Sequence, residues 1–177
     1  MTIIAIDPGP EQSAWVEMDD QYIVRDFGIV ENETMRKEIE AFAHITDNPR
    51  MVIEKIASMG MAVGAETFET CVWSGRFMEM FIAQTGRTPD RIPRVPIKVH
   101  LCGTAKAKDA NIRQALIDRF GGSAALQKAK AAKLNRKGEV IAPAVEAGPL
   151  AGISSHCWAA LAVAVVYVDR MKTGEFA

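Results

Sequence analysis

The chain has 177 residues, of which 49% are hydrophobic and 24% charged, and its formal net charge at pH 7 is −1. This is ordinary globular composition, with enough length for one domain, 1–177, around a sizeable core. The longest apolar stretch, 157–168, is too short to span a bilayer, and the N-terminus has neither a basic region nor a cleavage site. We therefore expect a soluble, intracellular protein.

The small net charge conceals a strong segregation along the chain. Residues 1–93 carry 8 Lys and Arg against 16 Asp and Glu, a charge of −8. Residues 94–137 carry 11 against 2, a charge of +9, and residues 138–177 carry 2 against 4, a charge of −2. A positive segment in a near-neutral protein commonly marks a contact with a polyanion, and nucleic acid is the leading candidate.

The three cysteines, Cys71, Cys102 and Cys157, are far apart, odd in number and without a C-x-x-C pair. This pattern favours reduced thiols in the core and argues against a structural zinc site.

The first predicted strand ends on an acid. Residues Thr2 to Ile6 form a short, apolar, β-branched run, which is typical of a strand buried on both faces, and Asp7 follows it directly. A carboxylate in that position costs roughly several kcal/mol unless a cation, a metal or hydrogen-bond donors compensate it. Alternatively, Asp7 caps a turn with Pro8 and Gly9.

The next segments continue a meander and then end on a second acid. Residues 13–18 and 22–30 predict two more strands, separated by a polar turn. Apolar residues at helical spacing predict a helix over 34–45. The short apolar run Met51 to Ile53 predicts a fourth strand, and Glu54 ends it as Asp7 ends the first.

The second half of the chain predicts helices around one more strand. A loop over 55–64 precedes a long predicted helix over 66–85, and Arg94 to Leu101 predicts a fifth strand that Pro96 places at an edge. Asp109 is expected to cap the N-terminus of a helix that ends at Gly121 and Gly122.

The last segments differ sharply in pattern. Residues 123–148 are basic, Ala-rich and weakly patterned, which predicts a mobile excursion that becomes ordered on its ligand. Residues 155–168 predict a final helix with His156, Ala159, Ala160 and Val163 on one face.

The predicted elements describe a ribonuclease H-like core. Three antiparallel strands begin a mixed sheet, acids end the first and fourth strands, and a polar residue opens the last helix. This is an α/β fold with a mixed five-stranded sheet flanked by helices. The first and fourth strands lie side by side in it, so Asp7 and Glu54 would meet near one edge of the sheet. Two close carboxylates repel unless a divalent metal lies between them, and magnesium is the natural occupant.

The chain resembles RuvC-like Holliday junction resolvases, particularly the shorter, divergent versions of phages and prophages. The segments IIAIDPG (3–9), MVIEK (51–55) and SHCWAALAVAV (155–165) resemble the opening strand, the second acid and the closing helix of that family. Each piece alone is weakly specific, because an apolar strand ending in Asp-x-Gly also opens actin-like ATPases and sugar kinases. Their order and the chain length make the resemblance specific over nearly the whole chain.

The resemblance implies metal-dependent phosphodiester hydrolysis with two Mg²⁺ ions, for which Mn²⁺ can substitute. Asp7 would bridge the ions and Glu54 would hold one. In the last helix of the family, an acid or His is followed three residues later by an Asp, and both face the metals. His156 fits the first position, although it also suits a core or capping role.

Position 159 departs from this pattern, because Ala159 has no ligand atom. Either an Asp has been replaced there, or this branch of the family completes the site with water or with another acid such as Glu66 or Asp109.

The resemblance also implies DNA contacts. Lysines near the fifth strand and before the next helix sit where the family binds phosphates, and the loop after Glu54 is where relatives project an apolar residue into the junction. The candidates are Lys98, Lys106, Lys108, Arg113, Met59 and Met61. A solvated surface charge remains the alternative for any single Lys, and a core role remains the alternative for either Met.

Three functional hypotheses follow. The first is an endonuclease that resolves branched DNA in the cytoplasm of a bacterium or of a phage-infected cell. It would act as a homodimer, because symmetrical cuts need two active sites. The second, motivated by Ala159, is a catalytically weakened relative that binds branched DNA without efficient cleavage. The third is an actin-like or kinase-type phosphotransferase, which is disfavoured because 177 residues do not accommodate the duplicated domain of such proteins.

Overall fold

A computed structural model describes residues 1–57, 60, 62–137 and 140–175. Its centre is a mixed five-stranded sheet with the order β3-β2-β1-β4-β5. The first three strands pair antiparallel, whereas β4 pairs parallel with both β1 and β5. The strands are β1 (Thr2–Asp7), β2 (Gln12–Asp19), β3 (Val24–Glu31), β4 (Pro49–Lys55) and β5 (Asp90–Pro93).

Helices cover both faces of the sheet. Helices α1 and α2 pack on one face, and α5 packs on the other with α3 and α4 beside it. Within the described residues, no helix is long and apolar enough to cross a membrane. The helices are α1 (Asn32–Ile45), α2 (Ala65–Thr85), α3 (Arg94–Cys102), α4 (Asp109–Arg119) and α5 (Cys157–Lys172).

The alternation of side chains along the central strands sets the direction of both strand-terminal acids. In β1, Ile4 and Ile6 pack against α1 and α2, whereas Ile3 and Ala5 pack against α5. Because side chains alternate with a period of two, Asp7 lies on the α5 side. In β4, Val52 also packs on the α5 side, so two residues later Glu54 does too.

The predicted ribonuclease H-like sheet is confirmed, and β1 and β4 are neighbours as expected. The predicted fifth strand is wrong. Residues 94–102 form helix α3, and the fifth strand is the preceding segment, Asp90–Pro93. Pro96 lies in the first turn of α3, where its missing N–H is not needed. Among the alternating apolar residues of this segment, Ile97 is buried but Val95 and Val99 are exposed.

The predicted capping role of Asp109 is also wrong. Lys108 is the residue that precedes α4, and its backbone N–H donates to the Asn111 side chain at 2.9 Å. The Asp109 carboxylate is instead engaged by Arg94.

Residues 123–148 contain short regular elements. A 3₁₀ turn covers Gly122–Leu126, and a small hairpin pairs β6 (Lys133–Leu134) with β7 (Val140–Ala142). Backbone hydrogen bonds from Gly148 to Gln127 and from Leu150 to Ala125 join the base of the hairpin to the domain.

Helix α5 is the central helix of the domain. It is buried all round from Ala160 to Val168, which fits a helix between the sheet on one side and α3 and α4 on the other. Near its C-terminal end, Asp169 accepts hydrogen bonds from Tyr22 at 2.6 Å and from Arg119 at 2.5 Å. This contact fixes α5 against the β2–β3 turn and α4.

The cysteine prediction holds only in part. All three thiols are free, and Cys157 is buried, but Cys102 is only partly buried and Cys71 is exposed on α2. The expectation of a core position was therefore wrong for Cys71, which lies on the outer surface of its helix.

Candidate active site

The carboxyl ends of β1, β4 and β5 open into a cleft of about 240 Å³. The N-terminal ends of α4 and α5 form its other wall. It is lined by Asp7, Glu54, Arg94, Asp109, Ile112, Ser155, His156, Trp158 and Ala159. All four residues that the sequence assigns to catalysis, Asp7, Glu54, His156 and Ala159, thus lie in one cleft.

A buried polar contact behind Asp7 holds the end of β1. The Ser13 hydroxyl donates to the Asn32 side chain at 2.7 Å and accepts from the Gly9 backbone N–H at 3.3 Å. The Asn32 amide donates to the Gly9 carbonyl at 3.0 Å. A Cβ at position 9 would lie 2.3 Å from the Gln12 carbonyl oxygen, so this turn requires glycine. The turn is held by Ser13 and Asn32, while the Asp7 carboxylate faces the cleft.

Glu54 and Asp109 share one cation. The Arg94 guanidinium donates to Glu54 Oε2 at 3.0 Å and to Asp109 Oδ1 at 2.5 Å. The Glu54 side chain is only 12% exposed, whereas that of Asp109 is 81% exposed. Arg94 therefore compensates a buried carboxylate from β4 and an exposed one from α4 at the same time.

His156 lies where the last helix begins. It is the residue that precedes α5, and its Nδ1 atom is 3.5 Å from Asp7 Oδ2. Its side chain is 75% exposed, so the alternative of a core histidine does not fit. Ser155, just before it, has a φ of 46°, a left-handed conformation that is uncommon for a residue with a side chain. Ala159 follows in the first turn of α5.

Burial controls the electrostatics of the two strand-terminal acids. It raises the pKa of Glu54 to about 7, although Arg94 acts in the opposite direction. Burial likewise raises the pKa of Asp7, against the opposing effects of His156 and Arg94. Both carboxylates therefore lack sufficient positive charge around them, even with Arg94 in place.

The donor set fits a divalent cation. Asp7 and Glu54 supply the hard carboxylate oxygens that Mg²⁺ prefers, and both are raised in pKa, which an added positive charge would reverse. Within the described part of the chain, no three His, Cys, Asp or Glu side chains are already grouped as a metal centre. An ion at this position would take Asp7 and Glu54 as its protein ligands, with His156 beside Asp7.

The predicted DNA-binding residues lie on and around α3 and α4. Lys98 is a partly buried residue of α3, not of a strand, and Lys106 and Lys108 are exposed on the connection to α4. Arg113 is exposed on α4, with its guanidinium 5.1 Å from the centre of the Trp158 ring, which lines the cleft. Met59 and Met61 lie outside the described residues.

Of the two alternative acids, only one lies in the cleft. Asp109 lines it, whereas Glu66 is exposed in the first turn of α2 and is not among the lining residues.

Arg94 is a cleft residue that was not predicted from the sequence. A signal was present, because Arg94 follows the apolar end of a strand, just as the two acids do. It was obscured by the assignment of Arg94 to the start of a strand.

No protein-family model matches the chain, and neither does any curated protein. Among solved structures, the chain is similar to the structure of Thermus thermophilus RuvC, with a TM-score of 0.68 and 13% sequence identity. The similarity covers 98% of this chain and 97% of the RuvC chain. It is also similar to T. thermophilus RuvC in complex with a Holliday junction substrate, with a TM-score of 0.67 and 14% identity over 98% and 97% of the two chains. The chain thus has the ribonuclease H-like fold of RuvC over almost its entire length.

Proposed function

We propose that this protein is a RuvC-like endonuclease that binds branched DNA, such as a four-way junction, and hydrolyses phosphodiester bonds with Mg²⁺ or Mn²⁺. The observation that carries the proposal is the meeting of Asp7 and Glu54 in one cleft, in a chain that shares its fold with a protein solved on a Holliday junction substrate. Two ions are expected from the family resemblance. When bound, they would activate water and stabilise the leaving oxygen.

The residues of the chain have distinct roles in this proposal. Asp7 and Glu54 hold the metal, and the contact between Ser13 and Asn32 keeps the end of β1 in position. His156, 3.5 Å from Asp7, orients that carboxylate and lies close enough to serve as a further ligand.

The positive segment 94–137 supplies the DNA contacts. It has a charge of +9, and Lys106, Lys108 and Arg113 are exposed in it. Lys108 directly precedes Asp109, and Arg113 lies over the ring of Trp158; both Asp109 and Trp158 line the cleft. Phosphate contacts of this kind give affinity without base preference.

The hairpin region carries further basic residues. Residues 123–137 contain 5 Lys and Arg and no acid, and Leu134, Val140 and Ile141 of the hairpin are exposed. Basic and apolar side chains together suit contact with phosphates and with unstacked bases.

A homodimer is also proposed. Phe68 and Val72 are one helical turn apart on α2 and are 61% and 49% exposed. Covering them with the same face of a second copy would bury apolar surface, and the resulting two-fold dimer would have two clefts for a two-fold symmetric substrate.

A second candidate function has a specific observation in its favour. Ala159 leaves the cleft without the last acid that the family resemblance implies, and Arg94 already pairs with Glu54. The alternative is therefore a protein that binds branched DNA but cuts it slowly or not at all.

The decisive experiment compares a labelled four-way junction, a duplex and a single strand, each with Mg²⁺ and with EDTA. We expect junction cleavage that requires the metal. Asp7→Asn should abolish cleavage while binding is kept or improved, because a negative charge near phosphate is removed. Glu40→Gln, on the exposed side of α1, is the matched control and should cut normally. Normal cleavage by Asp7→Asn would refute the site, and junction binding without cleavage by the unmodified chain would establish the second function.

A further inference from the structure

Arg94 occupies an unusual position for a cation. It is the first residue of α3, directly after β5, and its guanidinium bridges Glu54 on β4 and Asp109 on α4. The two contacts, of 3.0 and 2.5 Å, use different nitrogen atoms, so the planar group spans the space between the two carboxylates. The Arg94 side chain is only 27% exposed, and it lines the cleft.

This position coincides with the place where a metal ion is needed. Glu54 is one of the two proposed metal ligands, and Arg94 donates to one of its oxygens. A divalent ion on the same carboxylate would lie within a few ångströms of the guanidinium, and two positive charges at that separation repel strongly in a partly buried cleft. Arg94 and an ion are therefore alternatives for Glu54.

We propose that Arg94 is a tethered competitor of the divalent cation: it pairs with Glu54 and Asp109 in the metal-free protein and must leave both carboxylates before an ion binds. This inference rests on the proposed metal site at Asp7 and Glu54. It extends that site by one residue, because release of Arg94 frees the carboxylate of Asp109. Asp109 then serves as the further acid that Ala159 does not supply.

The size of the effect follows from the fraction of time that Arg94 fills the position. The apparent dissociation constant of the ion equals the intrinsic constant divided by the fraction of protein that is competent to bind. An arginine that is in place nine-tenths of the time therefore weakens binding about tenfold. Removing the guanidinium should recover this factor even without DNA, so the competition is measurable without any cleavage assay.

The test is a titration of the DNA-free, full-length protein with Mn²⁺. Binding is measured by calorimetry and by the electron paramagnetic resonance signal of the free ion. Arg94→Gln should bind Mn²⁺ at least about tenfold more tightly than the unmodified chain. Arg91→Gln is the matched control, because Arg91 is an exposed arginine of the same strand that precedes Arg94, and it should bind like the unmodified chain. Adding Asp109→Asn to Arg94→Gln should remove much of the gain.

Two further measurements keep the outcome clear. Arg94→Lys retains the positive charge but not the planar group that contacts both carboxylates, so this variant should bind Mn²⁺ with intermediate affinity. It also provides the test if Arg94→Gln fails to fold. The rise in melting temperature on addition of Mn²⁺ should be larger for Arg94→Gln than for the unmodified chain.

Equal Mn²⁺ affinity in the unmodified chain, Arg94→Gln and Arg94→Lys would overturn the competition and leave the proposed metal site intact. The absence of Mn²⁺ binding in all of them at millimolar concentration would overturn both proposals. Tighter binding by Arg94→Gln that Asp109→Asn does not reduce would keep the competition and remove Asp109 as a ligand.

Discussion

The metal-free protein should become less stable as the pH rises from 4.5 to 7, and replacing Glu54 by Gln should abolish a large part of this loss of stability. Burial raises the pKa of Glu54 from 4.5 to about 7, so between these values the folded state holds a proton that the unfolded state has released. The free energy of unfolding therefore falls with rising pH over this window. At about 1.4 kcal/mol per pH unit, the loss amounts to about 3 kcal/mol, or about 6–12 °C in melting temperature for a domain of this size.

The assay is urea denaturation in EDTA, followed by tryptophan fluorescence at several pH values between 4.5 and 8. Glu54→Gln carries no charge to lose, so its stability should change much less over this range. A smaller slope should remain, because burial also raises the pKa of Asp7. Glu40→Gln removes an exposed carboxylate and should keep the full slope of the unmodified chain. Parallel curves for Glu54→Gln and the unmodified chain would refute the reasoning.

The same variant links this pH dependence to the metal. In the proposed site Mg²⁺ binds the ionised carboxylate of Glu54, so adding Mg²⁺ should restore stability to the unmodified chain at pH 7 to 8. Glu54→Gln should recover much less. An equal recovery in both proteins would show that the ion binds elsewhere.

Two further predictions concern DNA and cleavage. Replacing Lys98, Lys106 and Lys108 together by Ala should weaken binding to all branched DNAs, as measured by fluorescence anisotropy. The slope of log K against log salt should decrease in magnitude by about 0.9 for each phosphate that is no longer neutralised. An unchanged slope would show that DNA binds elsewhere on the protein. Ala159→Asp should raise Mg²⁺-dependent cleavage at least about tenfold in single-turnover assays, a barrier change of about 1.4 kcal/mol, and equal rates with a fully active unmodified chain would show that position 159 is not a ligand.

The central strands and their acids were predictable because their signals are local. A short apolar, β-branched run such as Thr2 to Ile6 is typical of a buried strand, and a charged residue at its end is easily recognised in the sequence. That Asp7 and Glu54 meet followed from the strand order of the predicted fold, and the structure has β1 beside β4.

The segment after β5 was mispredicted because its pattern satisfies two periods. Val95, Ile97, Val99 and Leu101 alternate as in a strand, but Ile97 and Leu101 are also one helical turn apart. Tertiary packing decides between them: Ile97 enters the core beside α5, and Val95 and Val99 remain exposed. A strand would have buried either all four residues or none of them on one face.

The contact of Arg94 with Asp109 had no local signal. The two residues are 15 positions apart and meet because α3 and the connection after it return the chain to the cleft. In the sequence, Asp109 is an acid before an amphipathic helix, which favours a capping role. Its actual partner depends on the angle between α3 and α4, which composition and periodicity do not determine.

Ala159 and Arg94 act on the charge of the cleft in the same direction. An Asp at position 159 would lie in the first turn of α5, where the helix N-terminus favours an acid, so helix stability does not account for the Ala. Such an Asp would add a third negative charge beside Asp7 and Glu54, whose pKa values burial already raises, and the metal-free protein would be less stable for it. Ala159 and Arg94 thus both limit the excess negative charge that the cleft carries without a metal. A cleft with less negative charge repels DNA phosphates less, and it also attracts a divalent ion less strongly. This balance is the physical basis of the second proposed function, in which branched DNA is bound without rapid cleavage, and the comparison with Ala159→Asp tests it.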